Sequence, residues 1–158
     1  MTDIEIRKMT EGDLPAVGVL AAGLVRQHHQ FDPARFMLVE PIEDGYRWWF
    51  AKELKREEVV LQVATIAGEV VGYVYGTVEE RDWAKLLDAH GAVHDVFVAE
   101  KFRKNGIARR LMGSAVQTLR AQGVKNVVLY SAAQNEGAQA LFKSMGFRTS
   151  MLEMTLSE

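Results

Sequence analysis

At Gly106 the hydrophobic pattern of the chain changes its period. Ala92 to Ala99 reads as a strand, whereas Ile107, Ala108, Leu111, Met112, Ala115 and Leu119 recur on one face of a helix that Gly123 is placed to stop. A short apolar run, Val127 to Ser131, follows as the next strand. A strand, a helix and a second strand in that order demand a right-handed crossover and a parallel pair of strands.

The flanking segments fix the rest of the sheet. Met1 to Lys8 alternates charged and apolar residues and reads as the first strand. Thr10-Glu11-Gly12-Asp13 carries a helix-start signal, and Leu14, Val17, Leu20, Ala21, Leu24 and Val25 then recur at helical spacing to about Gln27. The stretch His28 to Glu43 contains Asp32-Pro33 and Glu40-Pro41 and reads as a loop; a second helix is predicted over about Asp44 to Lys55. Val59 to Ala67 and Glu69 to Glu79 form a long antiparallel hairpin, and Arg81 to Gly91 is a polar connection with room for one short helix. Asn135 caps a fourth helix whose apolar stripe, Ala138, Leu141, Phe142 and Met145, stops at Gly146. Phe147 to Leu156 is expected as a last strand, with Leu152, Met154 and Leu156 alternating against Ser150, Glu153 and Thr155. The predicted architecture is a three-layer α/β domain over residues 1–158. Its sheet is mixed and mostly antiparallel, with six to seven strands flanked by four helices.

Composition narrows the function. With 158 residues, 48% hydrophobic and 25% charged, the chain can fill one core without staples. A net charge of −2 supplies no global field for nucleic acid or an anionic bilayer. The absence of cysteine excludes disulfides and a thiol nucleophile. Apolar stretches are broken by Gln62, Thr65, Glu69 or Asp95 before the roughly 18 residues of a membrane span, and the N-terminus lacks an apolar leader, so a cytoplasmic location is expected. His28-His29 with Asp32, and His90 with His94, lack metal-ligand spacing, and no metal is expected. Ser131 and Ser144 have no nucleophile elbow.

The loop before Gly106 carries the chemistry. A glycine-containing turn entering a helix gathers free N–H groups at the positive end of the helix dipole, an arrangement suited to a pyrophosphate. Lys101, Arg103, Lys104 and Arg109 add positive charge around it. The same spacing also fits a glycine that merely starts a helix beside a solvated basic face. Neither the nucleoside-triphosphate loop nor the dinucleotide fingerprint is present.

Arg103-x-x-Gly106-x-Ala108 resembles the [QR]-x-x-G-x-[GA] acetyl-coenzyme A signature of the GNAT superfamily of N-acetyltransferases. Val70-Val71-Gly72-Tyr73, Asn135 at the start of the fourth helix and Met145-Gly146-Phe147 resemble the family in order and spacing. The resemblance implies acetyl transfer from acetyl-CoA to the primary amine of a small molecule or protein, by direct attack in a ternary complex. It places main-chain groups of Phe97 and Val98 on the pantetheine arm, with Val98 N–H on the thioester carbonyl. It also places Arg103, Lys104, Asn105, Gly106, Ile107 and Ala108 on the pyrophosphate, and Asn135 on the same ligand or in its own helix cap. Asp95 is the leading candidate for the general base, ahead of His94 and Glu79. A family tyrosine that serves as general acid is replaced by Phe142, which leaves Tyr130, Ser131 or water for that role. The loop after helix one and Trp48-Trp49 are read as acceptor-pocket walls or as core packing. The resemblance further implies an amine-bearing acceptor as partner, no nucleic acid, and a homodimer. A non-catalytic acyl-CoA-binding module is the alternative.

Overall fold

The structure, a computed structural model, describes residues 3–158; Met1 and Thr2, at the head of the predicted first strand, lie outside these residues. Strands β1 (Ile4–Lys8), β2 (Val60–Ile66), β3 (Glu69–Glu79), β4 (His90–Val98) and β5 (Val127–Leu129) form one sheet in sequence order. The first three pairings are antiparallel and β4 pairs with β5 in parallel, as the crossover requires. Helices α1 (Leu14–Phe31) and α2 (Ile42–Glu53) precede β2, α3 (Ile107–Ala121) makes the crossover, and α4 (Glu136–Ser144) follows β5.

Alternation along the strands sends apolar residues to both faces, and each face is covered by helices. Val60, Ala64, Val71, Val74, Val93 and Val98 meet Ile107, Leu111, Met112, Ala115 and Leu119 of α3 and Phe142 of α4. On the other face Leu61, Val63, Tyr73 and Tyr75 meet Leu14, Val17, Leu20 and Ala21 of α1 and Phe50 of α2. Gly72 is required where α3 crosses the sheet: a Cβ there would lie 3.0 Å from Phe97 O and 3.2 Å from Leu111 Cδ1. The three layers therefore seat closely around β3 and β4, the strands that carry the candidate site.

Several boundaries differ from the sequence reading. Helix α1 continues to Phe31, so His28 and His29 lie on its last turn rather than in a loop; His28 Nδ1 bonds Leu24 O and His29 Nδ1 bonds Phe36 O. The Arg81 to Gly91 connection holds no helix. It is a turn closed by the Asp82–Leu87 bridge, in which Asp82 Oδ1 accepts from the N–H groups of Ala84 and Lys85. Among the described residues the sheet has five strands instead of six to seven, because the predicted last strand, Phe147 to Leu156, carries no regular secondary structure. Its alternating pattern is intact but no strand lies beside it to pair.

The entry to α1 is held by one buried carboxylate. Asp13 Oδ2 accepts from Thr10 N–H and from Thr10 Oγ1, while both its oxygens accept from Arg7 of β1 at 2.7 and 2.9 Å. The Arg7 guanidinium, followed by the Thr10 donors, holds the Asp13 carboxyl below its ordinary value against the cost of burial. A group with a lowered folded pKa stabilises the protein above the ordinary carboxylate range, and that contribution is lost as pH falls through the lowered value. Asp13→Ala is expected to cost about 1–2 kcal/mol, the usual loss of a helix cap. Urea unfolding at neutral pH measures it, and the difference from the parent should shrink as the solution is acidified.

Candidate functional site

The site begins where two paired strands part. Only Gly91, Ala92 and Val93 of β4 face Val127, Val128 and Leu129 of β5, although β4 runs on to Val98. Along its other edge β4 carries a bulge: Tyr75 faces Asp95 and Gly76 faces Val93, which leaves His94 without an opposite residue. The extra residue keeps Val93 and Val96 on the α3 and α4 side, while Asp95 and Phe97 turn toward the α1 side. A cavity of about 80 Å³ opens in the wedge. It is lined by Leu24 and His28 from α1, Val93, His94 and Val96 from β4, Leu129 with Tyr130 and Ser131 beyond β5, and Asn135, Ala138 and Phe142 around α4.

Below the wedge, the loop into α3 presents its amides to solvent. Arg103 N–H donates to Glu100 O, and Arg110 N–H donates to Gly106 O. Among the described residues, the intervening N–H groups of Lys104, Asn105, Gly106, Ile107, Ala108 and Arg109 find no protein acceptor. Lys104 and Gly106 take left-handed backbone angles, φ 65° and 77°, so successive amides converge into a concave nest at the helix start. Gly106 is exposed and its missing Cβ would face open space, which leaves the approach to these amides clear.

The strand edge continues the nest. Ala99 N–H donates to Val71 O of β3 at 2.8 Å, so by strand alternation Val98 turns its N–H away from β3 and into the wedge. The Val98 carbonyl on the same edge is already engaged, accepting from Arg103 Nε at 2.8 Å. Phe97, expected to share this edge with Val98, instead directs its main chain toward Tyr73 of β3. Its ring lies beneath the Arg103 guanidinium, 4.9 Å from the ring centre, and against Gly23 of α1. The second residue that turns its peptide into the wedge is Val96. Arg103 is likewise tied to the strand and is not the mobile charge that the sequence implied.

The structure brings Tyr130, Asn135 and His94 together in the cavity but keeps the Asp95 side chain out of its lining. Asn135 Oδ1 caps α4 by accepting from Ala138 N–H at 3.2 Å, which leaves its amide nitrogen free to donate. Tyr130 is 66% exposed with Lys85 Nζ 5.3 Å from its ring centre. Phe142 is buried and lies edge-on to Phe147, with no hydroxyl to offer. Asp95 sits under Tyr73, whose hydroxyl donates to Asp95 Oδ2 at 2.8 Å. Burial raises the Asp95 carboxyl above its ordinary value, against the Tyr73 hydrogen bond and the imidazoles of His94 and His28, which favour ionisation. Burial and the neighbouring Asp95 charge also raise Tyr46 and Tyr73, so both hydroxyls stay protonated, and Tyr73 donates to the acid.

Thr77 was not singled out from the sequence as a site residue; His28, read as the start of a pocket-wall loop, lines the cavity from the last turn of α1. Thr77 Oγ1 lies 2.5 Å from Glu79 Oε1 and 2.7 Å from His94 Nε2. The hydroxyl has one proton and the carboxylate can only accept, so Thr77 donates to Glu79 and accepts from His94 Nε2–H. That chain engages Nε2 and leaves Nδ1 outside it. The signal was the Thr77–Glu79 spacing, which places two polar groups on one strand face. Among the described residues, no three His, Asp or Glu form a group able to hold a metal, and no helix is long and apolar enough to cross a membrane.

Comparison with known proteins bears on the family and the fold. An uncharacterized N-acetyltransferase of Methanocaldococcus jannaschii is 30% identical over 107 residues, covering 64% of this chain and 44% of that protein. The L-methionine sulfoximine/L-methionine sulfone acetyltransferase of Pseudomonas aeruginosa is 30% identical over 104 residues, covering 65% of this chain and 58% of the relative. The chain thus spans less than two thirds of the length of these relatives. A mutant BH1408 protein of Bacillus halodurans has the same fold, with a TM-score of 0.84 at 21% identity over 98% of this chain and 99% of that one. So does an aminoglycoside N-acetyltransferase in complex with CoA, with a TM-score of 0.77 at 16% identity over 100% of this chain and 96% of that one. The model of the acetyltransferase (GNAT) family matches residues 24–147, and the chain belongs to that family.

Proposed function

We propose that the protein is an acetyl-CoA-dependent N-acetyltransferase that moves an acetyl group to a primary amine of a small molecule or a protein within a ternary complex. The observation that carries this reading is the pair of unpaired donor sets on one face, the main-chain amides of Lys104–Arg109 at the start of α3 and Val98 N–H in the wedge. The nest binds the pyrophosphate through Lys104, Asn105, Gly106, Ile107 and Ala108. Arg103 fixes the Val98 edge and brings its charge to the same loop, and the Asn135 amide donates to the pantetheine arm. The bound thioester supplies the activated acetyl group. Val98 N–H polarises its carbonyl, a donor aimed where negative charge develops. A relative named for methionine sulfoximine and a structural neighbour named for aminoglycosides support an amine acceptor.

An amine of pKa about 10 arrives protonated and must lose its proton. Asp95 is the base: its raised carboxyl lies nearer the working pH than a solvated one, and Tyr73 orients it. A second reading assigns the proton to His94, because it lines the cavity and the Thr77–Glu79 chain engages Nε2 and leaves Nδ1 without a partner in that chain. Tyr130 protonates the departing sulfur from the cavity wall, a modest demand for an alkyl thiol of pKa about 8.5.

Gly106→Leu is expected to weaken acetyl-CoA binding about 100-fold by displacing charge-assisted amide contacts. Calorimetric titration measures this, and unchanged affinity refutes the role of the nest. Thiol release with a panel of amines separates the enzyme from a binding module, which would hold acetyl-CoA without turnover.

For Asp95→Asn, turnover is expected to fall about 100-fold with little change in acetyl-CoA affinity. The acidic limb of the pH–rate profile, which rises as Asp95 ionises, should vanish. If the limb persists unchanged and is lost in His94→Gln, the base is His94.

The same Asp95→Asn variant has a separate stability signature. A carboxyl with a raised folded pKa favours folding below the ordinary carboxylate range, and that favour is lost as pH rises through the raised value. Removal of the charge should therefore raise Tm at neutral pH, with the gain fading on acidification.

A further inference from the structure

We infer that Lys85 is a self-acetylation site: its side-chain amine takes an acetyl group from acetyl-CoA bound in the wedge of the same chain. The inference rests on the acetyl-transfer reading and names an acceptor that the chain itself carries.

The place of Lys85 follows from the turn between β3 and β4. Asp82 and Leu87 close the turn by exchanging main-chain hydrogen bonds of 2.8 and 3.1 Å, and Arg81 clamps Asp88 beside them at 3.1 and 3.2 Å. Within that closure Asp82 Oδ1 accepts from Lys85 N–H at 3.2 Å. The Lys85 backbone is therefore held, while its side chain is 55% exposed.

From this tip the side chain reaches the cavity wall. Lys85 Nζ lies 5.3 Å from the centre of the Tyr130 ring, and Tyr130 lines the wedge cavity together with His94 and Val96. Other lysines that rest on aromatic rings do so elsewhere: Lys52 on Trp48 and Lys101 on Phe102, neither of which lines the cavity. The Tyr130 hydroxyl and, after it, the charges of Asp82 and Glu79 raise the Lys85 ammonium above its ordinary value. The nearest of these tethers to an acid is slack, with Asp82 Oδ2 3.9 Å from Nζ. Lys85 thus meets the reaction as a free acceptor would, as a protonated primary amine beside the residue assigned to the departing sulfur. Its flexible stem lets the head leave the Tyr130 face for the acetyl carbon without movement of the turn.

The step balances as it does for a free amine. The Nζ lone pair attacks the thioester carbonyl carbon, a C–N bond forms, the C–S bond breaks, and the sulfur leaves. Of the two protons lost by the ammonium, one goes to the base and the other balances the sulfur, which departs as the free CoA thiol. The product is a neutral amide, so the contact with the Tyr130 ring and the pairing with Asp82 both end. Because amine and thioester share one complex, proximity favours this lysine over those elsewhere on the surface.

Incubation of the full chain with acetyl-CoA and no added amine, followed by peptide mapping by mass spectrometry, tests the inference. The expected result is one acetyl group on Lys85, gained about 100-fold faster than on the exposed Lys55 and Lys125. Its rate constant should not change with protein concentration. Lys85→Arg should lose this label and keep thiol release with free amines, and Gly106→Leu should slow the labelling at subsaturating acetyl-CoA. Lys85 modified no faster than Lys55 and Lys125 overturns the inference. A rate constant that rises with protein concentration marks transfer between copies and overturns it, as does labelling that Gly106→Leu leaves unslowed. Turnover of free amines by a parent whose Lys85 stays unmodified overturns self-acetylation alone; absence of both removes the transfer reading as well.

Discussion

Three residue pairs between β4 and β5 are the constraint on which the candidate site depends. A longer ladder would consume the peptide groups of Val96 and Val98 and close the wedge; a shorter one would leave β5 and α4 without a fixed position. The bulge at His94 works together with this parting. By inserting one residue it keeps Val93 and Val96 on the packed face beneath α3 and α4 while sending Asp95 to the other side. One backbone irregularity therefore distributes three chemically different side chains among two cores and a cavity.

The electrostatics are local rather than global. An almost neutral chain gathers unpaired amides at one helix start, where the helix dipole adds to them. The titratable groups across the wedge are held by neighbours on the sheet: Asp95 by Tyr73, His94 by Thr77 and through it by Glu79. The unpaired amides thus lie just beyond the C-terminal end of β4, and the titratable groups near its middle.

The parts of the fold governed by local rules were readable from the residues. The change of period at Gly106, the Ala67-Gly68 hairpin and the Asn135 cap each follow from chemistry within a few residues, and each stands where it was expected. The nest was legible for the same reason, since a glycine between a strand and a helix commits the amides around it. The misses depend on contacts between distant segments. Phe97 and Val98 are adjacent in sequence, and only the register with β3 tells which of them faces the wedge. His28 belongs to α1 because Leu24 O and the ring of Phe36 hold it there, across a proline-containing stretch that reads as loop. The segment after Phe147 has the alternation of a strand, but alternation records a preference, and a strand exists only where another lies beside it.

Arg103 joins the two halves of the site mechanically. Its Nε grips the Val98 carbonyl and its guanidinium lies on the Phe97 ring, while its own peptide opens the loop that leads to Gly106. Tension on the loop is therefore transmitted to the strand edge through a single rigid planar group. Lysine at this position would retain the charge and sever the linkage, so the shape of the helix-start loop and the alignment of the strand edge can change only as one variable.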